Sequence, residues 1–335
     1  MTAAPAIDPA QTHVVLEHKH GRPLVSCRWH PQGRYLFWGA EENLVHRLDL
    51  ESKTVVSLAR HDSWVRAIGC TGDGGLVLTG GYDGRVVWWP AMADKPEPVR
   101  VVDAHAGWVR AVAISPAGDR VATCGNDRLV KLWNVADGAL IATLPGHEHH
   151  VYNVAWRPDG SAVASCDLKG VVKEWDVASL KAKRDLAAAA LWKYDTTFRA
   201  DIGGARSIAF RGDGSQLALG GITNVTNAFA GVGHPAVAVL TWADGKQAVL
   251  LESKEKANGV CWGLAWHPAG FWVTAAGGGG GGWLSFFKGD TANAFHTLKL
   301  PANARDMSVA ADGTRVAIAH ADGQLRIYAL HAKTA

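Results

Sequence analysis

The sequence predicts an all-β fold, a single seven-bladed β-propeller whose blades are four-stranded antiparallel sheets. The first observation behind this prediction is a pattern of apolar strand, glycine turn and apolar strand that occurs seven times in 335 residues. The second is its spacing: the turn glycines lie 41, 44, 42, 54, 56 and 43 residues apart. A repeat of about 40 to 45 residues is typical of one four-stranded blade. The turn glycines are Gly33, Gly74, Gly118, Gly160, Gly214, Gly270 and Gly313.

Apolar residues stand nine, six and four residues before every turn glycine. The two-residue step between the last two columns is the period of a β-strand, so we expect these side chains to pack between neighbouring blades. The column nine residues before the glycine marks the start of each first strand. It contains Leu24, Val65, Val109, Val151, Ala205, Cys261 and Ala304.

The repeat divides the chain into seven blades, a closing strand and a tail. The blades are predicted near residues 20–60, 61–104, 105–145, 146–187, 203–253, 257–300 and 301–330. The last blade has only three predicted strands, whereas a spare apolar strand lies at 13–18. Pairing this strand with the last blade would close the ring and leave no exposed sheet edge. Residues 1–12 are predicted to be a flexible tail.

Charge and composition limit the classes of function. The chain has 34 basic and 31 acidic side chains, a net charge of +3, which makes nucleic acid an unfavoured partner. It has no apolar run of the length that crosses a membrane and no signal-peptide pattern. The cysteines form no close pair and fall in predicted strands, so we expect buried thiols and a cytoplasmic protein. They are Cys27, Cys70, Cys124, Cys166 and Cys261.

Blades 2 to 4 contain a recurring set of polar and aromatic residues. Blade 3 has His105, Ser115-Pro116-Ala117-Gly118, Thr123, Asp127 and Leu132-Trp133-Asn134, and blade 4 has Gly146-His147, Ser165 and Trp175-Asp176. On these residues the chain, beyond residue 12, resembles the WD-repeat β-propeller family.

The resemblance implies a structural network of four side chains in a blade. An Asp carboxylate accepts from a His ring, the ring meets a Ser or Thr hydroxyl, and that hydroxyl accepts from a Trp indole N–H, so that the buried polar groups are satisfied together. Complete sets are His61, Thr79, Asp83, Trp89 in blade 2 and His105, Thr123, Asp127, Trp133 in blade 3.

The other blades depart from this set. In blade 4, Lys169 stands at the Asp position, so we expect no complete network there. Blade 1 has His20 and Glu42, but Trp38 and Leu48 occupy the other two positions. Asp127→Ala is therefore expected to lower the free energy of unfolding by about 1–3 kcal/mol, and Lys169→Ala is expected to lower it less.

Two motifs suggest other chemistry but have simpler interpretations. His147-Glu148-His149-His150 has metal-ligand residue types, but neighbours on a turn seldom converge on one ion, so we favour a solvated turn. Gly277–Gly282 is a predicted loop of six glycines in blade 6 that opens no helix, so it is not a phosphate loop. We interpret it as a mobile turn, with close approach of a ligand or a neighbouring insertion as the alternative. We predict no enzyme, no catalytic residue, no metal and no cofactor.

One face of the disc, the top, is predicted to bind a partner. The resemblance places the residues that flank the first apolar column at the mouth of the central channel. Arginine, tryptophan and tyrosine are enriched in binding hot spots, and four arginines on one rim favour an acidic peptide, a carboxylate or a phosphate. The alternative is that these side chains only pack against neighbouring blades. The predicted partner-binding residues are Trp64, Arg66, Tyr82, Trp108, Arg110, Tyr152, Arg206, Trp262 and Arg305.

Three insertions are predicted on the same face: 188–202, 222–235 and the glycine run. Long loops on one side of a rigid scaffold often carry recognition, although decoration that binds nothing is the alternative. We therefore predict a non-catalytic interaction scaffold, monomeric by itself, that binds a protein or peptide and no membrane. A small-molecule-binding or enzymatic propeller, with its site at the channel mouth, is the competing hypothesis.

Overall fold

Seven four-stranded antiparallel sheets and one short hairpin form the fold. The structure, a computed structural model, describes residues 5–227, 232–253 and 257–333. The first strand, β1 (His13–Lys19), precedes the blades. Blade 1 contains β2 (Leu24–Trp29), β3 (Tyr35–Ala40), β4 (Leu44–Asp49) and β5 (Val55–Ala59). Blade 2 contains β6 (Val65–Cys70), β7 (Leu76–Gly81), β8 (Arg85–Pro90) and β9 (Arg100–Asp103). Blade 3 contains β10 (Val109–Ile114), β11 (Arg120–Gly125), β12 (Val130–Asn134) and β13 (Leu140–Leu144). Blade 4 contains β14 (Val151–Trp156), β15 (Ala162–Asp167), β16 (Val171–Asp176) and β17 (Lys181–Ala187).

A hairpin separates blade 4 from blade 5. A 3-10 turn (Ala189–Leu191) leads into β18 (Trp192–Asp195), which pairs with β19 (Ala200–Gly203). Blade 5 contains β20 (Ser207–Phe210), β21 (Gln216–Asn227), β22 (Val232–Thr241) and β23 (Gln247–Glu252). Blade 6 contains β24 (Val260–His267), β25 (Phe271–Gly278), β26 (Gly281–Phe287) and β27 (His296–Leu300). Blade 7 contains β28 (Ala304–Val309), β29 (Arg315–His320) and β30 (Gln324–Ala329).

The predicted ring closure is confirmed, because β1 is the fourth strand of blade 7. It pairs antiparallel with β30, from His13 opposite Ala329 to Lys19 opposite Gln324. Part of the predicted tail also packs on this blade: Pro9–Gln11 form a 3-10 turn with Pro9 buried, and the Asp8 backbone N–H donates to Leu330 O at 2.8 Å. Residues 1–4 lie outside the described part of the chain.

All seven turn glycines have a positive φ, between 70° and 90°. Only glycine adopts this backbone conformation without a steric cost, so each glycine fixes the turn between the first two strands of its blade. The repeated glycine therefore sets one register for all seven blades.

The hydrophobic core is divided among the interfaces between blades. Phe37 of blade 1 packs with Val65 and Trp89 of blade 2 in one cluster. At the interface between the first and last blades, Trp38 of blade 1 packs with Ile327 of blade 7. Each blade thus buries its apolar faces against two neighbours, and the ring is the unit that is stable.

Blade 2 contains a hydrogen-bonded chain from Asp83 to Trp89. His61 Nδ1 lies 3.1 Å from both carboxylate oxygens of Asp83, and His61 Nε2 lies 2.8 Å from Thr79 Oγ1. Trp89 Nε1–H donates to the same hydroxyl at 2.9 Å. The four side chains therefore satisfy one another inside the blade.

Blade 3 repeats this arrangement. His105 Nδ1 lies 2.9 and 3.0 Å from the Asp127 oxygens, and its Nε2 lies 2.8 Å from Thr123 Oγ1. Trp133 Nε1–H donates to Thr123 Oγ1 at 2.9 Å.

Blade 4 also has a complete network, so the expectation that it lacks one was wrong. Asp167 supplies the carboxylate, with Oδ2 3.0 Å from His147 Nδ1. Ser165 Oγ lies 2.7 Å from both His147 Nε2 and Trp175 Nε1.

The geometry of blade 2 explains how the carboxylate moves along the chain. Asp167 stands two residues after Ser165, where blades 2 and 3 have Gly81 and Gly125. A Cβ added to Gly81 would lie 2.4 Å from Asp83 Oδ1 and 2.5 Å from His61 Nδ1. A side chain at this position therefore points to the place that the tetrad carboxylate occupies.

Lys169, which stands at the usual Asp position, is used elsewhere. Its Nζ lies 3.6 Å from Asp201 Oδ2 and 5.8 Å from the Trp192 ring. Both partners belong to the β18–β19 hairpin, so Lys169 attaches that insertion to blade 4.

The glycine run, which the sequence led us to interpret as a mobile turn in an extended loop, forms the end of a tight hairpin. Gly277 and Gly278 end β25 and pair with Gly282 and Gly281 of β26. A Cβ added to Gly277 would lie 2.4 Å from Ala304 O, and one added to Gly282 would lie 2.1 Å from Ala302 O. The run thus allows the link between blades 6 and 7 to approach closely.

The revised network of blade 4 gives a stability prediction. Asp167→Ala should lower the free energy of unfolding by about 1–3 kcal/mol, as should Asp127→Ala, because each leaves a buried His ring nitrogen without its acceptor. Lys169→Ala should cost less, because it leaves the network intact. Urea unfolding of the three variants checks this, and a loss for Lys169→Ala equal to that for Asp167→Ala would contradict it.

The Asp127 carboxyl predicts a pH dependence. Burial favours its protonated form, but the His105 ring and the backbone N–H groups of Leu129 and Ala106 outweigh burial and hold the pKa of Asp127 below its ordinary value. Since the unfolded carboxyl has a pKa of about 3.9, this contribution is complete above about pH 4 and is lost as pH falls through the lower folded pKa.

Wild type should therefore be more stable than Asp127→Asn at pH 7, and the difference should shrink as the pH falls below about 4. Urea unfolding of both proteins from pH 7 to the acid limit measures it. A constant difference over that range would show that the carboxylate charge contributes nothing.

Candidate partner-binding site

A cavity of about 650 Å³ opens at one mouth of the central channel. In every blade, the residue directly after the first apolar column lines it. These residues are Val25, Arg66, Arg110, Tyr152, Arg206, Trp262 and Arg305.

A backbone irregularity aims these side chains at the channel. The pairing of the first and second strands shifts register across Arg66, between Val65 and Ala67. The same shift spans Val25, Arg110, Tyr152, Trp262 and Arg305 in five other blades. Such bulges re-aim a side chain, and here they turn one residue of each of these strands toward the cavity.

The loops around this mouth share one face of the disc. The Tyr82 backbone N–H donates to Trp64 O at 2.9 Å, and that of Asn126 donates to Trp108 O at 3.1 Å. These bonds join the loop between strands two and three of a blade to the link that enters it. We call this face the top face.

Three aromatic rings form a row on the top face. Tyr82 stacks on Trp108 with ring centres 4.0 Å apart and planes 5° from parallel, and its ring centre lies 6.2 Å from that of Trp64. Both tryptophans are 40% exposed. This aromatic row, Trp64–Tyr82–Trp108, leaves large apolar surfaces open to solvent.

Arginines fill the spaces between aromatic rings. The Arg110 guanidinium lies 4.6 Å from both the Trp108 and Tyr152 ring centres. Arg206 lies 3.9 Å from the Tyr152 ring, and Arg66 lies 4.8 Å from the Trp262 ring. Hydrogen bonds also fix two of the guanidinium groups. Arg110 Nε donates to Asn126 Oδ1 at 2.7 Å, and a terminal nitrogen of Arg66 donates to Val25 O at 2.8 Å.

Among the residues that the structure describes, five arginines and one aspartate are the charged residues that line the cavity. The arginines are Arg28, Arg66, Arg110, Arg206 and Arg305. Burial lowers the pKa of Arg110, and the positive charges of Arg206 and Arg66 lower it further, against the opposite effect of Tyr152 and Tyr82. Burial alone would raise the pKa of Tyr152, but Arg206 and Arg110 lower it.

The aspartate, Asp306, can offset only one of these five positive charges. Its Oδ2 accepts from the Cys27 backbone N–H at 2.9 Å, and its Oδ1 accepts from that of Met307 at 2.8 Å. Burial raises its pKa, although the charges of Arg28 and Arg66 oppose this. Within the described residues, none of the five cavity arginines forms a salt bridge. The cavity is therefore a strongly cationic site.

Eight of the nine residues predicted to bind a partner line this cavity; the ninth, Trp108, adjoins it by stacking on Tyr82. Sequence reasoning missed Arg28 and Asp306. They stand five and seven residues before their turn glycines, where most blades have small residues such as Gly69, Ala111 and Ala113. These columns of small residues form the channel wall, and a large charged residue in them was the available signal.

The predicted insertions 188–202 and 222–235 contact each other. Lys193 Nζ in β18 donates to Val225 O in β21 at 3.1 Å. β21 and β22 extend the second and third strands of blade 5, so the predicted loop 222–235 is a long hairpin in its described part. The tip at 228–231 lies outside the described residues. Trp192, Tyr194 and Phe198 of the first insertion have exposed side chains.

The structure places metal-ligand residue types together at a different place from the motif in blade 4. Both ring nitrogens of His147 are engaged by Asp167 and Ser165. Among the described residues, the group that converges is His20, Glu42 and His46 in blade 1. In the sequence, His20 and Glu42 stand at tetrad positions, but nothing there connects them with His46.

Comparison with known proteins supports the repeat. The family model described as "WD domain, G-beta repeat" matches residues 52–90, 96–134 and 138–176. Each matched segment begins before the fourth strand of one blade and ends with the third strand of the next, so it joins two blades. No curated protein matches the chain. Among the described residues, no helix has the length and apolar character needed to cross a membrane. The chain thus contains three WD40 repeats, which reach from the last strand of blade 1 to the third strand of blade 4 and belong to a seven-bladed β-propeller.

Proposed function

We propose that this propeller is a non-catalytic scaffold that holds an acidic segment of a partner protein at the top-face cavity. WD40 propellers are commonly used for protein interaction and are typically non-enzymatic. The observation that carries the proposal is the group of five arginines that line this cavity, none of which forms a salt bridge within the described residues. The five free cysteines fit a cytoplasmic location, which we also propose.

Electrostatics supports an anionic partner. Like charges held close together repel, and the repulsion is stronger where burial excludes water. A carboxylate or phosphate between the guanidinium groups would relieve this repulsion and form charge-assisted hydrogen bonds. Binding such a group therefore gains more here than at an isolated surface arginine.

The aromatic row supplies the second part of the site. Exposed tryptophan and tyrosine side chains provide apolar contact with little loss of conformational freedom. Because Arg110 lies against Trp108, the apolar and cationic surfaces are continuous. A partner that presents acidic and apolar residues on one extended segment would match both.

Arg110→Glu should remove partner binding, because it places a carboxylate at the centre of the cationic rim. Wild type and variant are immobilised, partners are captured from a lysate of the source cell, and the captured proteins are quantified by mass spectrometry. The partner yield should fall at least about tenfold, which corresponds to about 1.4 kcal/mol, while the thermal midpoint changes little.

Lys246→Glu is the matched control, since it makes the same change in charge. Lys246 is 83% exposed and lies in the turn between β22 and β23, at the opposite end of the strands from the top face. Arg305→Glu is a second test that disturbs no cation–π contact of the described residues. Equal capture by wild type, Arg110→Glu and Arg305→Glu would rule out the proposed site.

A small anionic molecule is a second candidate ligand, favoured by the size of the cavity. A volume of about 650 Å³ lies in the range of about 300–1,000 Å³ typical of small-molecule sites. Thermal unfolding with millimolar phosphate or citrate tests this candidate. Stabilisation that Arg110→Glu abolishes, without a captured protein, would favour it over a protein partner.

A further inference from the structure

Blade 1 replaces the tetrad with a different polar cluster. His20 and Glu42 occupy the positions of His61 and Asp83, thirteen residues before and nine after the turn glycine. Trp38 and Leu48 replace the hydroxyl and indole partners, Thr79 and Trp89. The chain of hydrogen bonds found in blade 2 therefore cannot form here.

Two histidine nitrogens instead face one carboxylate oxygen. Glu42 Oε1 lies 2.8 Å from His20 Nε2 and 2.7 Å from His46 Nε2, and the three ligand atoms lie within 4.8 Å of one another. The His46 contact is a hydrogen bond, whereas the angles at His20 do not form one and leave its buried Nε2 without a hydrogen-bond partner. An unsatisfied buried nitrogen thus points into the cluster.

The surroundings orient both rings. Ser57 Oγ lies 3.0 Å from His46 Nδ1, so a hydrogen bond on the far side of the ring can leave Nε2 free as a ligand. The Trp38 ring stacks on His46 at 5.2 Å and meets the edge of His20 at 5.9 Å. This apolar wall fixes the rings and excludes water from one side.

We propose that His20, Glu42 and His46 bind one Zn²⁺ ion. Two imidazole nitrogens and one carboxylate oxygen form a known zinc ligand set, with donor distances of about 2.0–2.2 Å. Tetrahedral donors at these distances lie about 3.3 Å apart. The two contacts of Glu42 Oε1 are about half an ångström shorter than this, so the carboxylate has to move away from both rings to admit the ion. The side chains of His20, Glu42 and His46 are 13%, 18% and 7% exposed, which leaves water access to a fourth position.

The site lies where the closing strand meets blade 1. His20 directly follows β1, Glu42 lies between β3 and β4, and His46 lies in β4. A bound ion would therefore tie the end of the closing strand to blade 1. It would link blade 7 to blade 1 at the ring closure, in the blade that lacks the polar network of blades 2 to 4.

Titration of the full chain tests the proposal. The protein, stripped with a chelator and free of a histidine tag, is titrated with Zn²⁺ by calorimetry and with Co²⁺ by visible absorption. One ion should bind per chain, and Zn²⁺ should raise the unfolding temperature. Glu42→Gln and His46→Ala should each weaken binding at least about 100-fold, and Ser57→Ala about 10- to 100-fold.

Two further variants separate a metal site from a hydrogen-bonded cluster. Arg22 Nε lies 3.5 Å from Glu42 Oε2 with its side chain 65% exposed, so Arg22→Ala should tighten Zn²⁺ binding by removing a competing cation. His149→Ala, in the histidine motif of blade 4, is the control and should bind as wild type. The absence of saturable binding, or binding that persists in Glu42→Gln, would overturn the proposal. Glu42→Gln is nearly isosteric, so it keeps the test valid if His46→Ala does not fold.

Discussion

The pairing of β1 with β30 is the contact on which the rest of the structure depends. The core is divided among interfaces between blades, so each blade needs both neighbours to bury its apolar faces. Glu17 Oε1 in β1 accepts a hydrogen bond from Arg326 Nε in β30 at 2.6 Å. At the interface between blades 1 and 7, Trp38 packs against Ile327. The cavity needs the closed ring as well, because Arg305 of blade 7 and Arg66 of blade 2 reach the same cavity. An open ring would lack both a complete core and a defined binding face.

Two hydrogen-bonding arrangements of buried histidines recur around this ring. In blades 2 to 4, a histidine, a hydroxyl, an indole and a carboxylate bond within one sheet. In blades 1 and 6, histidines instead bond to the turn glycine of the next blade: His30 Nε2 lies 2.8 Å from Gly74 O, and His267 Nε2 lies 2.7 Å from Gly313 O. The first arrangement stiffens a blade, and the second ties neighbouring blades together. A blade can therefore lose its tetrad without leaving the ring unsupported.

The repeat made most of the fold and most of the cavity lining predictable, because the turn glycine sets one register and equivalent residues reach equivalent places. Tyr152 and Arg206 could thus be assigned to one rim from their distance to Gly160 and Gly214. The departures could not be predicted in this way. In blade 4, the carboxylate that bonds to the tetrad histidine comes from Asp167. A side chain at either of two positions in the chain can bring a carboxylate there, but an alignment with fixed spacing considers only the position of Lys169. His46 stands in a column that contains Val87, Lys131 and Lys173 in the next blades, so no pattern connected it with His20. Such contacts depend on three-dimensional distances that a periodic sequence does not encode.

The buried arginines of the cavity are costly for the fold, and this cost is the physical reason for proposing a binding function at the top face. Burial and mutual repulsion both disfavour the charged form of Arg110, and apolar residues there would pack the channel without that penalty. The aromatic rings offset part of the cost through cation–π contacts. They also hold the guanidinium groups in fixed places, on bulges of rigid strands rather than on mobile loops. A binding surface that is ordered before its partner arrives loses less entropy on association. The same contacts that make the arginines tolerable in the free protein would therefore also prepare them for the anionic partner that we propose.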